Sequence, residues 1–151
     1  MSDITGLTLR TATAADAQGI LDLLERSDLP TSDLSTARPQ FVVAEHAGEM
    51  IGIGALERFD AAALLRSVAV APQWRGSGVG RWIIANLEQR ARAAGIDELI
   101  LLTLTAHDFF ARLGYGPKRR DEVPTAVLGS AELRSLCPTS AHCMAKTLAP
   151  K

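Results

Sequence analysis

Residues 68–87 read VAVAPQWRGSGVGRWIIANL. A β-branched apolar run at Val68–Val70 meets Pro72, and Arg75 follows. Glycines then stand at 76, 78 and 80, and after Arg81 an apolar pattern recurs at helical spacing. Backbone N–H groups at a helix start have no intrahelical partner, and the helix dipole adds partial positive charge there. Glycines strip that start of side chains, so an anion can approach the N–H groups closely. The stretch reads as a strand–loop–helix phosphate cradle, with Arg75 and Arg81 supplying full charge. The plainer alternative is a flexible turn with no ligand. Two familiar loops are excluded by spacing. A mononucleotide loop needs Gly-Lys-Ser/Thr, and no lysine stands in the stretch. A dinucleotide Gly-x-Gly-x-x-Gly started at Gly76 meets Arg81, and started at Gly78 it meets Ile83.

Downstream of the loop, residues 81–94 form the strongest helical pattern, with Ile83, Leu87, Ala91 and Ala94 on one stripe and Gly95 as the stop. Upstream, residues 63–71 read as a strand, preceded by a turn at 60–62. Residues 41–45 and 50–59 form a hairpin about Ala47-Gly48-Glu49. Gly52 and Gly54 lie inside its second strand, where glycine marks a bulge or a close backbone approach. Leu7 and Leu9 alternate with polar residues as a short strand. Thr13 and Asp16 look like a variant capping box before a helix carrying Ala17, Ile20, Leu21 and Leu24. The polar, aperiodic segment 27–38 reads as a loop of the kind that lines sites. Leu99–Leu102 is a continuous apolar run, expected to be a strand buried on both faces. Thr105 and Asp108 suggest a second box before a helix that stops at Gly114. Residues 115–119 and 141–148 close the list of strands. The order β-α-β-β-β-α-β-α-β-β predicts an α/β (α+β) fold, a mixed sheet of about six to seven strands with helices on its faces.

The 151 residues fit one domain spanning 1–151, large enough to fold without a disulfide or metal. Hydrophobic content of 47% and charged content of 22% are ordinary. A formal net charge of -1 gives no footprint for nucleic acid or an anionic membrane. MSDITGLTLR lacks the basic and apolar regions of a signal peptide, and no apolar run reaches a membrane span. With two cysteines, this predicts a cytoplasmic protein with reduced thiols.

The elements Arg75-x-x-Gly78-x-Gly80, the preceding strand Leu65–Ala71 and Leu113-Gly114-Tyr115 resemble the GNAT acyltransferase superfamily, whose pyrophosphate loop is Gln/Arg-x-x-Gly-x-Gly/Ala. The resemblance runs over nearly the whole chain. It implies the GNAT fold, with acetyl-CoA as cosubstrate held between two splayed parallel strands. It further implies that backbone groups of Val68, Ala69 and Val70 meet the pantetheine arm. Residues Arg75, Gly76, Ser77, Gly78, Val79, Gly80 and Arg81 would meet the pyrophosphate, and Phe110 and Arg112 would complete the cofactor side. Arg112 can equally be a solvated helix arginine. GNAT proteins are often dimers, so a homodimer is an expectation of the resemblance.

Transfer by direct attack of an amine on a thioester needs a base, an oxyanion donor and a proton for the thiolate. The backbone N–H near Val70 is the expected oxyanion donor. Glu57 is the candidate base, directly or through water, with an exposed strand-end carboxylate as the alternative. His107 is a candidate proton relay or simply an exposed histidine. Many GNAT enzymes carry a tyrosine where this sequence has Phe110, so their usual acid is absent. Tyr115, the only tyrosine, is expected to pack.

LTLTAHDFFARLGY, DEVP and SLCPTSAHCM are similar to the arsenic-resistance N-acetyltransferase branch and to the acetyltransferase domain of N-acetylglutamate synthases. That similarity implies a small amine acceptor with acidic groups, glutamate or an arsenic- or phosphinothricin-type amino acid. Arg66, flanked by apolar residues on a strand, needs an anion: a ligand carboxylate, Glu57 or another acidic side chain. Arg38, Thr103 and Ser140 are further acceptor candidates by the same similarity. Cys137 and Cys143 raise the possibility of metalloid binding, but buried cysteines usually act as small hydrophobes, and no four-ligand zinc set is in view. No metal is expected. Phe110 and the two cysteines also admit a non-catalytic acyl-CoA or metalloid sensor. A peptide or protein acetyltransferase is a further alternative, without a dedicated acidic groove to support it.

Overall fold

Seven strands line up in the order β1-β2-β3-β4-β5-β7-β6, in a computed structural model that describes residues 6–29, 31–34, 38–130 and 141–148. In chain order the elements are β1 (Leu7–Thr11), α1 (Ala17–Arg26), β2 (Gln40–His46), β3 (Glu49–Phe59), β4 (Ala62–Val70) and α2 (Val79–Ala93). They continue with β5 (Glu98–Thr103), α3 (His107–Arg112), β6 (Gly116–Pro117), α4 (Thr125–Leu128) and β7 (His142–Thr147). The short helix α4 lies in the stretch between residues 119 and 141, where the sequence pattern predicts no element. The contacts divide the chain into two units, Met1–Leu56 with Ser67–Leu87, and Glu57–Arg66 with Glu88–Lys151.

In the first unit, β1 pairs with β2 and β2 with β3, all antiparallel, with a register shift at Ala44/Glu45. Successive strand residues point to opposite faces, and the packing partners separate accordingly. On one face, Val43, Ile53 and Ala69 pack with Ile20, Leu23 and Leu24 of α1. On the other, Gly52 and Gly54 lie under α2. A Cβ at Gly52 would sit 2.8 Å from the Ile83 side chain, and one at Gly54 would sit 2.8 Å from Leu87 and 2.9 Å from Ile83. The two glycines therefore mark close approach of a helix to a strand, one of the two alternatives open in the sequence. Ile83, Leu87 and Ala91 of the predicted stripe are buried. Ala94 is exposed and lies one residue past the end of α2 at Ala93.

Thr13 and Asp16 do form their box, closing a single 3₁₀ turn ahead of α1, with the Thr13 N–H donating to Asp16 Oδ2 at 2.7 Å. Arg10 grips the same carboxylate with two bonds of 2.8 Å and reaches Glu45 at 3.0 Å. The Arg10 guanidinium first, and the Thr13 N–H second, hold Asp16 well below the usual carboxylate range. A carboxylate whose pKa is lower folded than unfolded stabilises the fold above its unfolded pKa, about 4, and loses that contribution as the pH falls. Urea unfolding of wild type and Asp16→Asn is expected to show a stability difference that is full above about pH 4 and shrinks at lower pH. A difference independent of pH would contradict this account of Asp16.

In the second unit, β4 runs parallel to β5 from Ala62↔Glu98 to Leu64↔Ile100, while β5 pairs antiparallel with β7 along its whole length. Leu99, Ile100 and Leu101 are buried, as a strand covered on both faces should be. Leu64 and Ile100 pack with Val123 and Val127, joined by Cys143 and Ala145 from one side of β7. Lys146 points to the other side of β7. Its Nζ donates to Glu88 Oε1 at 3.0 Å and to the Leu113 carbonyl at 2.9 Å. Tyr115, 3% exposed, donates to Glu88 Oε2 at 2.8 Å. Glu88 is thus satisfied on both oxygens, which makes it tolerable in a buried place. The expected Thr105–Asp108 box does not form. Ala106 caps α3 without a side-chain bond, and Thr103 Oγ1 accepts the Ala106 N–H at 2.9 Å instead.

Candidate active site

The end of β4 does not continue as a plain strand. Ser67 has a φ of 60°, left-handed for a buried non-glycine residue in mid-strand. Such conformations are costly and cluster where the backbone must be re-aimed. Before Ser67, residues 62–66 are all buried; after it, Val68 and Val70 turn half-exposed while Ala69 stays buried. The kink therefore restores an in–out alternation in the three residues assigned from sequence to the cofactor. Nothing in the sequence signals it, since serine carries no preference for positive φ.

Beyond β4, Ala71–Arg75 winds through a 3₁₀ turn in which Trp74 N–H donates to the Ala71 carbonyl at 2.8 Å. The loop is anchored on three sides. Ser77 Oγ donates to the Trp74 carbonyl, the Trp74 ring lies 5.0 Å from the His46 ring, and Arg75 Nε donates to the Val70 carbonyl at 3.1 Å. Gly76 and Gly78 have φ of 78° and 94°, which L-residues adopt at a cost. Both are exposed, and a Cβ on either would meet nothing within 4 Å. The backbone is thus bared toward open space. The first helical bond of α2 runs from Trp82 N–H to the Gly78 carbonyl at 3.0 Å. The N–H groups of Val79, Gly80 and Arg81 stand in the first turn of α2, where no intrahelical acceptor precedes them. Bare and leading into those donors, the loop suits a polyphosphate.

A cleft of about 360 Å³ opens beside this loop, lined by Arg26, Ser27, Asp28, Leu29, Val68, Ala69, Val70 and Arg75. Of these, Arg26 ends α1, and Ser27, Asp28 and Leu29 follow it. Segment 27–38, which the sequence predicts to line a site, contributes Ser27, Asp28 and Leu29 to this cleft. Arg38, the acceptor candidate from that segment, is exposed, with a φ of 47°.

The second unit holds the other sequence candidates. Arg66 Nη1 donates to Glu57 Oε1 at 3.0 Å, with side-chain exposures of 0% and 9%. Of the anions open to Arg66 in the sequence, the structure supplies Glu57. His107 is half-buried, its Nδ1 3.3 Å from Asp108 and its ring 4.8 Å from that of His142. Thr103 is the register partner of His142. Arg112 is exposed. Phe110 packs edge-on between Phe109 and Tyr115. Cys143 is partly buried against the Leu64–Ile100 cluster, and burial pushes its thiol up, away from the thiolate form. Ser140 and Cys137 lie outside the described residues. Among the described residues, no three His, Cys, Asp or Glu side chains come together as a metal site, and no helix is long and apolar enough to cross a membrane.

Residues 37–117, more than half of the chain, match the acetyltransferase (GNAT) domain. The chain belongs to the GNAT acetyltransferase family. An N-acetyltransferase of Chlorobaculum tepidum is 31% identical over 113 residues, 72% of this chain and 70% of that protein. An amino-acid acetyltransferase of Aeromonas salmonicida is 32% identical over 124 residues, 76% of this chain. This GNAT chain spans only 28% of the length of that relative. Among solved structures, N-acetylglutamate synthase from Neisseria gonorrhoeae, complexed with coenzyme A and N-acetyl-glutamate, shares the fold at a TM-score of 0.81 and 24% identity. The match covers 95% of this chain and 35% of that one. Rv2747 from Mycobacterium tuberculosis, in complex with CoA and NLQ, aligns at 27% identity and a TM-score of 0.80, over 94% of this chain and 99% of that one.

Phe110 stands at the position where the resemblance implies a tyrosine, and its ring has no proton to give. The chain's one tyrosine cannot stand in freely. The Tyr115 O–H donates a hydrogen bond to Glu88 Oε2, and burial first, the Glu88 charge second, hold the phenol far above its ordinary range.

Proposed function

We propose that this domain transfers an acetyl group from acetyl-CoA to the amino group of a small, acidic amino acid. The observation that carries the reading is the bared loop at 75–81, which offers N–H donors and two arginines, Arg75 and Arg81, to a pyrophosphate one short turn beyond a kinked strand end. Support for the amino acid comes from the relatives named for that chemistry and from a solved relative complexed with N-acetyl-glutamate. A glutamate-like acceptor is the narrower form of the proposal, and detoxification of arsenic- or phosphinothricin-type amino acids would be a use of the same chemistry.

Within the first unit, backbone groups of Val68, Ala69 and Val70 hold the pantetheine. The N–H groups and arginines from Arg75 to Arg81 neutralise the diphosphate. The Val70 N–H donates to the oxyanion that forms when the amine nitrogen attacks the thioester carbonyl. A C–N bond forms and the C–S bond breaks. One proton leaves the ammonium before attack and one leaves nitrogen after it; the sulfur takes up one in all. In the second unit, Glu57 is the proposed base through an intervening water, since Arg66 already occupies one of its oxygens. His107 is the proposed relay, and Phe110 and Arg112 are assigned to the cofactor side. Thr103 and Arg66 keep their proposed places on the acceptor side, Arg66 through Glu57, as do Arg38 of the first unit and Ser140. With Phe110 in the position of the usual tyrosine, the proton on sulfur comes from water or a relay.

Initial rates of thiol release from acetyl-CoA across free amino acids, simple amines and peptides test the reading. The expected result is the highest kcat/KM for L-glutamate or another acidic amino acid. Preference for peptides, or release with no free amino acid, would overturn it.

A further inference from the structure

The chain ends two helices with the same backbone device and fills it differently. At the end of α2, Ile96 N–H donates to the Ala91 carbonyl at 2.9 Å and Gly95 N–H to the Arg92 carbonyl at 3.1 Å. At the end of α1, Leu29 N–H donates to the Leu24 carbonyl at 3.0 Å and Asp28 N–H to the Glu25 carbonyl at 3.2 Å. Both are Schellman motifs, whose left-handed residue is usually glycine. In α2 it is Gly95, φ 83°; in α1 it is Asp28, φ 55°. The neighbouring Ser27 adds a second unfavourable choice. Its Oγ is buried and has no hydrogen-bond partner among the described residues, which a folded chain normally avoids. Two polar residues that cost stability stand side by side, and both line the 360 Å³ cleft that also borders Val68–Val70.

We infer that Ser27 and Asp28 together receive the ammonium end of an amino acid acceptor. The inference rests on the proposed amino-acid acetyltransferase reading and adds the residues that recognise the nucleophile. An ammonium has three donors and no acceptor. The Asp28 carboxylate offers charged acceptors, and the Ser27 hydroxyl offers a lone pair that nothing in the protein uses. The location suits delivery of the amine, because the same cleft includes Val70, whose N–H is the proposed oxyanion donor. Charge on the cleft wall fits a zwitterion better than a simple amine. Arg26 lines the same cleft and makes no ion pair or side-chain hydrogen bond among the described residues. That cation answers the acceptor's carboxylate. A backbone held left-handed without glycine is the kind of local cost kept at binding sites.

The test uses the full chain, acetyl-CoA and the best amino acid from the panel. Ser27→Ala, Asp28→Asn and Asp28→Gly are compared with wild type by KM for the amino acid, calorimetric Kd for acetyl-CoA and Tm. Loss of a hydrogen bond to a charged group predicts a rise in amino-acid KM of about ten- to a hundred-fold in each variant. The acetyl-CoA Kd should stay within about twofold of wild type, as the variants leave the pyrophosphate loop untouched. Tm should be unchanged or higher in Ser27→Ala and higher in Asp28→Gly, which relieves the left-handed position. An unchanged KM while wild type is active overturns this inference alone. A raised KM accompanied by lower Tm and equally weakened acetyl-CoA binding overturns it as well, by showing a structural role. A wild type that acetylates no amino acid removes the parent reading, and this one with it.

Discussion

Replacing Gly78 by valine is expected to weaken acetyl-CoA binding by about a hundred-fold or more, roughly 2.7 kcal/mol, with the fold retained. Gly78 has a φ of 94°, and a β-branched residue there must strain or flip the peptide that presents the loop. No atom lies within 4 Å of its ideal Cβ, so the fold itself suffers no clash. The penalty falls on aim: N–H groups that should converge on the diphosphate diverge. Each misaligned charge-assisted bond forfeits about 1.5–3 kcal/mol. Gly95→Val is the matched control. Gly95 also has positive φ, 83°, also has open space at Cβ and also flanks α2, but at its far end. It should lower Tm about as much as Gly78→Val and leave the acetyl-CoA Kd unchanged. Equal loss of binding in both would show that left-handed strain alone, not the cradle, is responsible.

The second large effect is on stability. Arg66 and Glu57 form a buried ion pair in which the arginine side chain has no exposure. Removing one member breaks a buried ion pair, a change that costs about 3–5 kcal/mol. Glu57→Leu and Arg66→Met singly are each expected to destabilise by about that much. The double replacement is expected to recover most of the loss, because two apolar side chains of similar size need no counter-charge. Urea unfolding of the four proteins gives the cycle directly, and additive losses would mean the pair is not coupled. The pair adjoins Ser67, so the singles should also lower kcat/KM by loosening the kink. For that reason loss of activity in Glu57→Gln does not by itself identify a base; the pH dependence of kcat separates a missing base from a displaced strand.

Much of this architecture can be read in the sequence, because patterning and chain punctuation dictate it. The Leu99–Leu102 run is an interior strand, the apolar stripe of α2 is buried up to Ala91, and Gly95 ends that helix where a left-handed residue is required. The loop glycines announce themselves because positive φ at 76 and 78 demands them. What escapes is structure made against propensity. Ser67 occupies left-handed backbone without the residue type that advertises it. Thr103 Oγ1 takes the Ala106 N–H just ahead of α3, a bond with no capping-box spacing to announce it, so Thr105 and Asp108 mislead. The four-residue α4 is too short for a periodic signal and is held by the burial of Val127 against Leu64 and Ile100. The partner of Arg66 was visible only as a choice among anions, and tertiary placement of Glu57 made it.

The most direct test of the account follows the acetyl group itself. The purified chain is mixed with acetyl-CoA carrying a carbon-13 carbonyl and with L-glutamate, and the carbonyl signal is followed by NMR. The account predicts that the thioester signal is replaced by that of an N-acetyl amide, with free CoA appearing in equal amount and the rate falling sharply in Gly78→Val. A thioester signal that persists while calorimetry shows acetyl-CoA bound, or that converts to free acetate, would contradict transfer to an amino acid.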